Sequence, residues 1–295
     1  MNERLDKRTT IFKLLESKSV SFFPGLCLLI NALTGPSIPF TSNLFQTAGF
    51  IPVLFLFLLF AVLSTFSSLF LVEAIQAIPG NTHFMGHTEF ATVINFYFDG
   101  VFHLVGQFCL YSAVMSNAIQ CIALSTQSFD NVLVELFKYT AGLSFNGEWK
   151  TATVKGSFPS PFGDQLMIFT LGFLIVIVFA IPMLYVDLES NLSVQIISFI
   201  MGLLMMSQWV ISAILYIFYN PNSKQGSVPV FSSNSKAYQQ LSGNVMLSLA
   251  FTFVVPSWIN LKKRNVSTQG TLWTTSFLAT ILYCIVGWIR ILKIT

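Results

Sequence analysis

Asn31-Ala-Leu-Thr-Gly-Pro-Ser-Ile-Pro39 lies in the middle of an apolar run extending from about residue 20 to residue 48. A helix needs about 20 apolar residues to cross the hydrocarbon of a bilayer, so this run is long enough to be a membrane span and the nonapeptide marks its midpoint. Proline lacks an amide donor and clashes with the carbonyl four residues back. Pro36 therefore releases the carbonyl of Ala32, and Pro39 that of Gly35. An unpaired carbonyl in hydrocarbon costs several kcal/mol, so irregular backbone at this depth survives only where protein, water or a ligand supplies partners. Gly35 permits unwinding and Pro36 suits the first turn of a new half-helix. The amides of Ser37 and Ile38 are then expected at a half-helix N-terminus, where a carboxylate is favoured.

The rest of the chain is built for the same solvent. Of its 295 residues 54% are hydrophobic and 9% charged, with a mean hydropathy of +0.72. A water-soluble domain carries about 25% charged residues, so a soluble, disordered or nucleic-acid-binding protein is excluded. Spans are expected near 20–48, 52–78, 99–126, 165–187, 193–218, 243–261 and 270–291. None alternates with a period of two, which argues against a transmembrane barrel. The expected fold class is an all-α polytopic membrane protein, with residues 1–19 as a cytoplasmic tail and 20–295 as the membrane domain. Cys27, Cys109, Cys121 and Cys284 lie in apolar runs and read as packing residues, with no disulfide or metal spacing.

Five bases (Arg4, Lys7, Arg8, Lys13, Lys18) crowd the N-terminal tail, and Lys262, Lys263 and Arg264 follow the sixth span. With these spans both clusters fall on one side of the membrane, and the positive-inside rule makes it the cytoplasm. The loops near 127–164 and 219–242 then face outward. A seven-helix receptor has the opposite orientation, and the one Asn-Pro here, Asn220-Pro221, lies in a loop.

The sixth span repeats the interruption: in Ala250-Phe-Thr-Phe-Val-Val-Pro-Ser-Trp258, Pro256 frees the carbonyl of Thr252. Broken helices at corresponding positions of two repeats point to the binding site of a transporter. The competing reading is a pair of proline kinks, packed by Ser and Thr and binding nothing. Elsewhere Asp99, His103, Gln107 and Tyr111 follow at intervals of four along the third span. Asp99 and His103 are candidates for carrying a coupling proton; equally, both can sit at a wet membrane edge, with Gln107 and Tyr111 bonding neighbouring helices. Ser64, Thr65, Ser67 and Ser68 read as packing positions. His83, His87 and Glu89 occupy a turn-rich loop without a third strong metal ligand. No catalytic triad, phosphate loop or metal-ligand set is visible, so an enzyme is not expected and no cofactor is called for beyond a coupling ion.

The stretches Leu28-Leu-Ile-Asn-Ala-Leu-Thr-Gly-Pro-Ser-Ile-Pro-Phe40, Phe45-Gln-Thr-Ala-Gly-Phe50, Val254-Val-Pro-Ser-Trp-Ile-Asn-Leu-Lys-Lys-Arg264 and the seventh span from Thr271 to Gly287 resemble the amino acid/auxin permease family of the amino acid-polyamine-organocation superfamily. The resemblance implies a LeuT-like bundle of inverted repeats, here 20–218 and an incomplete 243–295. It implies secondary active transport of amino acids, driven by H+ or Na+, in the plasma membrane or a vacuolar or lysosomal membrane. Under it the substrate is held by the unwound segments: Asn31, Ala32, Leu33, Thr34, Gly35, Ser37 and Ile38 from the first, and Phe251, Thr252 and Phe253 from the sixth. The family has a second glycine where this chain has Ser37. It also has ten or eleven spans, so the resemblance implies a chain cut short after the seventh, either a fragment or a polypeptide completed by another.

Overall fold

A computed structural model describes residues 19–34, 38–81, 84, 86–154, 160–163, 165–183, 185, 191–219, 229–232 and 235–291. The chain is mostly helical and divides into two compact units, Met1–Gln107 with Glu189–Thr295, and Phe108–Leu188.

In the first unit the apolar run of the first span forms two helices, α1 (Phe22–Leu33) and α2 (Ile38–Ala48). Gly35, Pro36 and Ser37 lie outside the described residues. Gly49, at φ 93°, separates α2 from α3 (Phe50–Ala77). A side chain there would meet the carbonyls of Pro229 and Val230 at 2.9 Å, and those two carbonyls accept from the amides of Phe50 and Ile51. Next come α4 (Phe90–Tyr97) and the start of α5 (Gly100–Phe137). After the second unit the chain continues as α7 (Leu192–Tyr219), α8 (Ser235–Ser248), α9 (Val255–Leu261) and α10 (Thr268–Ile291).

Helix α10 packs on α1, α2, α3 and α7, which makes it the centre of this unit. Its inward face holds Thr271, Thr275, Ser276, Ala279 and Tyr283, all essentially buried. Their small or hydroxyl-bearing side chains let neighbouring backbones approach, the usual chemistry of helix contacts in membranes. Most Thr hydroxyls satisfy themselves on the carbonyl four residues back, as Thr275 does on Thr271 and Thr280 on Ser276, both at 2.8 Å.

The second unit contains most of α5, a three-stranded antiparallel sheet and α6 (Leu171–Met183). Strand β1 (Thr140–Ser144) is central, flanked by β2 (Trp149–Ala152) and β3 (Met167–Thr170). Asn146-Gly147 closes the β1–β2 hairpin with Gly147 at φ 79°, the left-handed position that a short hairpin loop gives to glycine.

The helical membrane class is seen in the structure, and two details add to the reading of the sequence. Four helices among the described residues are long and apolar enough to cross a membrane: Phe50–Ala77, Gly100–Phe137, Leu192–Tyr216 and Thr268–Gly287. Among the described residues the stretches 20–48, 165–187 and 243–261 contain shorter elements: two helices in the first, a strand and a helix in the second, and two helices in the third. The protein is a helical membrane protein, with one small sheet formed by residues expected in the long loop and at the start of the fourth span. The β-branched and aromatic residues flanking Asn146-Gly147 carry that signal.

Candidate functional site

The sixth span is interrupted as expected, and the end of its first half meets the end of α1. Helix α1 stops at Leu33 and α2 begins at Ile38; α8 stops at Ser248 and α9 begins at Val255. The hydroxyl of Tyr283 on α10 donates to the carbonyl of Leu33 at 2.5 Å and lies 3.5 Å from that of Ser248. Each is the last residue of its half-helix, where carbonyls lose their intrahelical donors. Tyr283 is 1% exposed and its ring stacks on Phe57 at 5.1 Å, which fixes the hydroxyl in place.

Other hydroxyls complete the pairing. Ser64 of α3 donates to the carbonyl of Leu249 at 2.6 Å, Ser68 lies 3.2 Å from the hydroxyl of Thr252, and Thr65 donates to Ser276 at 2.7 Å. Of the four packing positions read in the second span, Ser64 and Ser68 are therefore partners of the sixth-span break, while Thr65 binds α10 and Ser67 is exposed. The carbonyl of Thr252 accepts from the amide of Val255 at 3.3 Å, and that of Phe251 from Val254 at 2.9 Å, so the unwound backbone folds into tight turns.

At their other ends α1 and α9 are joined by backbone. Val20 donates to Leu261 at 3.0 Å and accepts from Lys263 at 2.8 Å. Between the two junctions Gly25 lies against the fully buried indole of Trp258. Glu89 adds a further tie, accepting from Ser257 at 2.9 Å and Asn260 at 3.2 Å.

A cavity of about 180 Å³ opens beside the first interruption, lined by Asn31, Thr34 and Ile38 with Ser198, Gly202 and Met206 of α7 among its other walls. Asn31 is oriented by α7, donating to the carbonyl of Gln195 at 2.7 Å and to its side-chain oxygen at 2.9 Å. Thr34 turns its hydroxyl onto the carbonyl of Ile30 at 2.8 Å.

Of the residues expected to hold substrate, Asn31, Thr34 and Ile38 share this cavity. Leu33 is nearly buried and reaches the sixth-span break through Tyr283. Ala32 is half-buried beside them, while Phe251 is fully buried and Thr252 and Phe253 are half-buried; none of these four lines the cavity. Gly35 and Ser37 fall outside the described residues. Asp99 is exposed just ahead of α5, and His103, one turn into that helix, has a buried Nδ1 without a partner among the described residues. Neither lines the cavity.

Tyr283 and Gln195 escaped the reading of the sequence. Each is a polar group inside an apolar span, which is itself the signal that would have found it. Comparison with known protein families, with curated proteins and with solved structures finds no match to this chain.

Proposed function

We propose that this chain is a secondary active transporter of amino acids of the amino acid/auxin permease type, coupled to H+ or Na+, working by alternating access around its interrupted first and sixth spans. The observation that carries the reading is the meeting of the ends of α1 and α8 at the Tyr283 hydroxyl, beside a cavity lined by Asn31, Thr34 and Ile38. Backbone left irregular inside a membrane bundle is tolerated where it serves a cavity.

In this reading the amides of Ser37 and Ile38 take the substrate carboxylate at the start of α2. The carbonyls of Ala32, Leu33 and Thr252 accept the ammonium group or a coupling cation. Leu33 and Thr252 already accept one hydrogen bond each, and a carbonyl has two lone pairs. Asn31, Thr34 and Gly35 shape the pocket, Phe251 and Phe253 flank it, and Asp99 with His103 carries the coupling proton. A cavity of about 180 Å³ favours small neutral amino acids.

A second reading, a non-transporting membrane protein that senses a ligand or assembles with a partner, draws on a specific observation. The carbonyls of Leu33 and Leu249 already have hydroxyl partners in Tyr283 and Ser64, so a protein donor reaches each helix end without a ligand. Uptake of radiolabelled amino acids into proteoliposomes under an imposed proton or sodium gradient separates the two. Saturable uptake that Gly35→Trp abolishes supports transport. Saturable binding without uptake supports the sensor, and uptake indifferent to Gly35→Trp removes the assigned site.

A further inference from the structure

The second unit holds a cavity that the transport reading does not use. It measures about 580 Å³ and lies along α5 and β3, lined in part by Thr126, Gln127, Asp130 and Gln165. Asp130 is 1% exposed. It accepts three hydrogen bonds: from Thr140 at 2.9 Å and the Gly172 amide at 2.9 Å on Oδ1, and from Thr170 at 2.6 Å on Oδ2. These tie β1, β3 and the first turn of α6 to α5, and Thr170 caps α6 by accepting from Phe173 at 3.2 Å.

That structural role leaves two things unexplained. All three donors are neutral, and no Lys, Arg or His pairs with Asp130 among the described residues. A carboxylate offers about four acceptor positions, so one on Oδ2 stays open. The hydroxyl oxygen of Thr126, one turn before Asp130, is also buried with no partner among the described residues. Buried polar groups are ordinarily hydrogen-bonded and buried charges ordinarily paired. Here a hydroxyl and a carboxylate with no partner and no cation, respectively, among the described residues line one cavity, whose remaining wall includes Ile119, Ile122 and Phe173. Among the described residues no basic side chain lines it.

We propose that this cavity binds a primary ammonium group carrying an apolar substituent, with Asp130 and Thr126 receiving the N–H donors and the Ile119–Ile122–Phe173 wall receiving the apolar part. Asp130 lies four residues beyond the apolar run 99–126 read as the third span, at headgroup level in that reading. A site at that level can draw its ammonium from a free amine in water or from the ethanolamine headgroup of a lipid.

The test uses the whole purified chain. Phenethylammonium binding is measured by calorimetry in detergent, with tetramethylammonium as a cation lacking N–H donors. Thermal unfolding is compared in nanodiscs of phosphatidylethanolamine and of phosphatidylcholine. Saturable phenethylammonium binding that tetramethylammonium does not displace assigns the site to free amines; stabilisation by phosphatidylethanolamine alone assigns it to the headgroup. Asp130→Asn is expected to weaken either effect at least tenfold. Should that variant fail to fold, Ala123→Phe fills the cavity, leaves the Asp130 hydrogen bonds in place, and is expected to abolish binding. No saturable amine binding together with no preference between the two lipids overturns the proposal. So does binding that Ala123→Phe leaves unchanged.

Discussion

Tyr283 and Leu33, 250 residues apart, are joined by a hydrogen bond from the phenol to a helix-terminal carbonyl, and the same hydroxyl lies 3.5 Å from the carbonyl of Ser248. One side chain on the central helix thereby bonds the end of α1 and lies beside the end of α8. Tyr283→Phe keeps the stacking on Phe57 and removes only the donor. A buried acceptor left unsatisfied costs about 1–3 kcal/mol, so the variant is expected to lose about that much stability and to unfold at a lower temperature in detergent. Tyr283→Ala also loses the ring, and a large-to-small core change of this kind costs about 3–5 kcal/mol. Equal midpoints for wild type and Tyr283→Phe would show that the hydroxyl contributes nothing.

Ser64 supports the sixth-span interruption alone. Ser64→Ala orphans the carbonyl of Leu249 and is expected to destabilise by about 1–3 kcal/mol. Ser67→Ala, on the same helix but on its exposed side, is expected to change stability by less than about 0.5 kcal/mol. Denaturation of the two variants side by side reads the difference.

Gly25 permits the close approach of α1 and α9. A β-carbon there would lie 2.4 Å from Nε1 of Trp258, which is fully buried. Gly25→Ala is expected to destabilise by about 1–3 kcal/mol through overpacking. Trp258→Phe shortens the obstructing side chain, so the double variant should recover part of that loss, and a double-mutant cycle measures the coupling.

Lys262 follows α9 and is 6% exposed, with its ammonium donating to the carbonyl of Val266 at 3.0 Å and lying 5.4 Å from the ring centre of Phe84. Burial pushes its pKa below the ordinary lysine value. The unfolded chain then binds more protons than the folded one at alkaline pH, so stability rises with pH across that window. The penalty is complete below the depressed pKa and is relieved as pH approaches the ordinary value of about 10.4. Lys262→Met is expected to flatten this rise in the unfolding temperature over the alkaline window. An identical pH profile in the variant would contradict the assignment.

Much of the frame was legible because proline and the bilayer impose hard constraints. Pro256 lacks an amide donor, and the break in the sixth span falls just before it; α1 ends at Leu33, three residues before Pro36. The partners of the freed backbone were not legible, since a serine in an apolar span reads the same whether it packs or donates. Ser64 reaches Leu249, 185 residues away, and nothing local encodes that distance. The sheet was hidden for another reason: in a chain dominated by twenty-residue apolar runs, strands of four or five residues leave little trace beyond Asn146-Gly147. Asp130 was overlooked because it lies in a region read as a loop, where a carboxylate is expected to be solvated.

Equilibrium binding of radiolabelled small neutral amino acids to the purified chain, compared between wild type and Gly35→Trp, addresses the joint site most directly. The account predicts saturable binding by the wild type that the variant loses. Binding of equal strength in both proteins, or none by any of the small neutral amino acids, would contradict it.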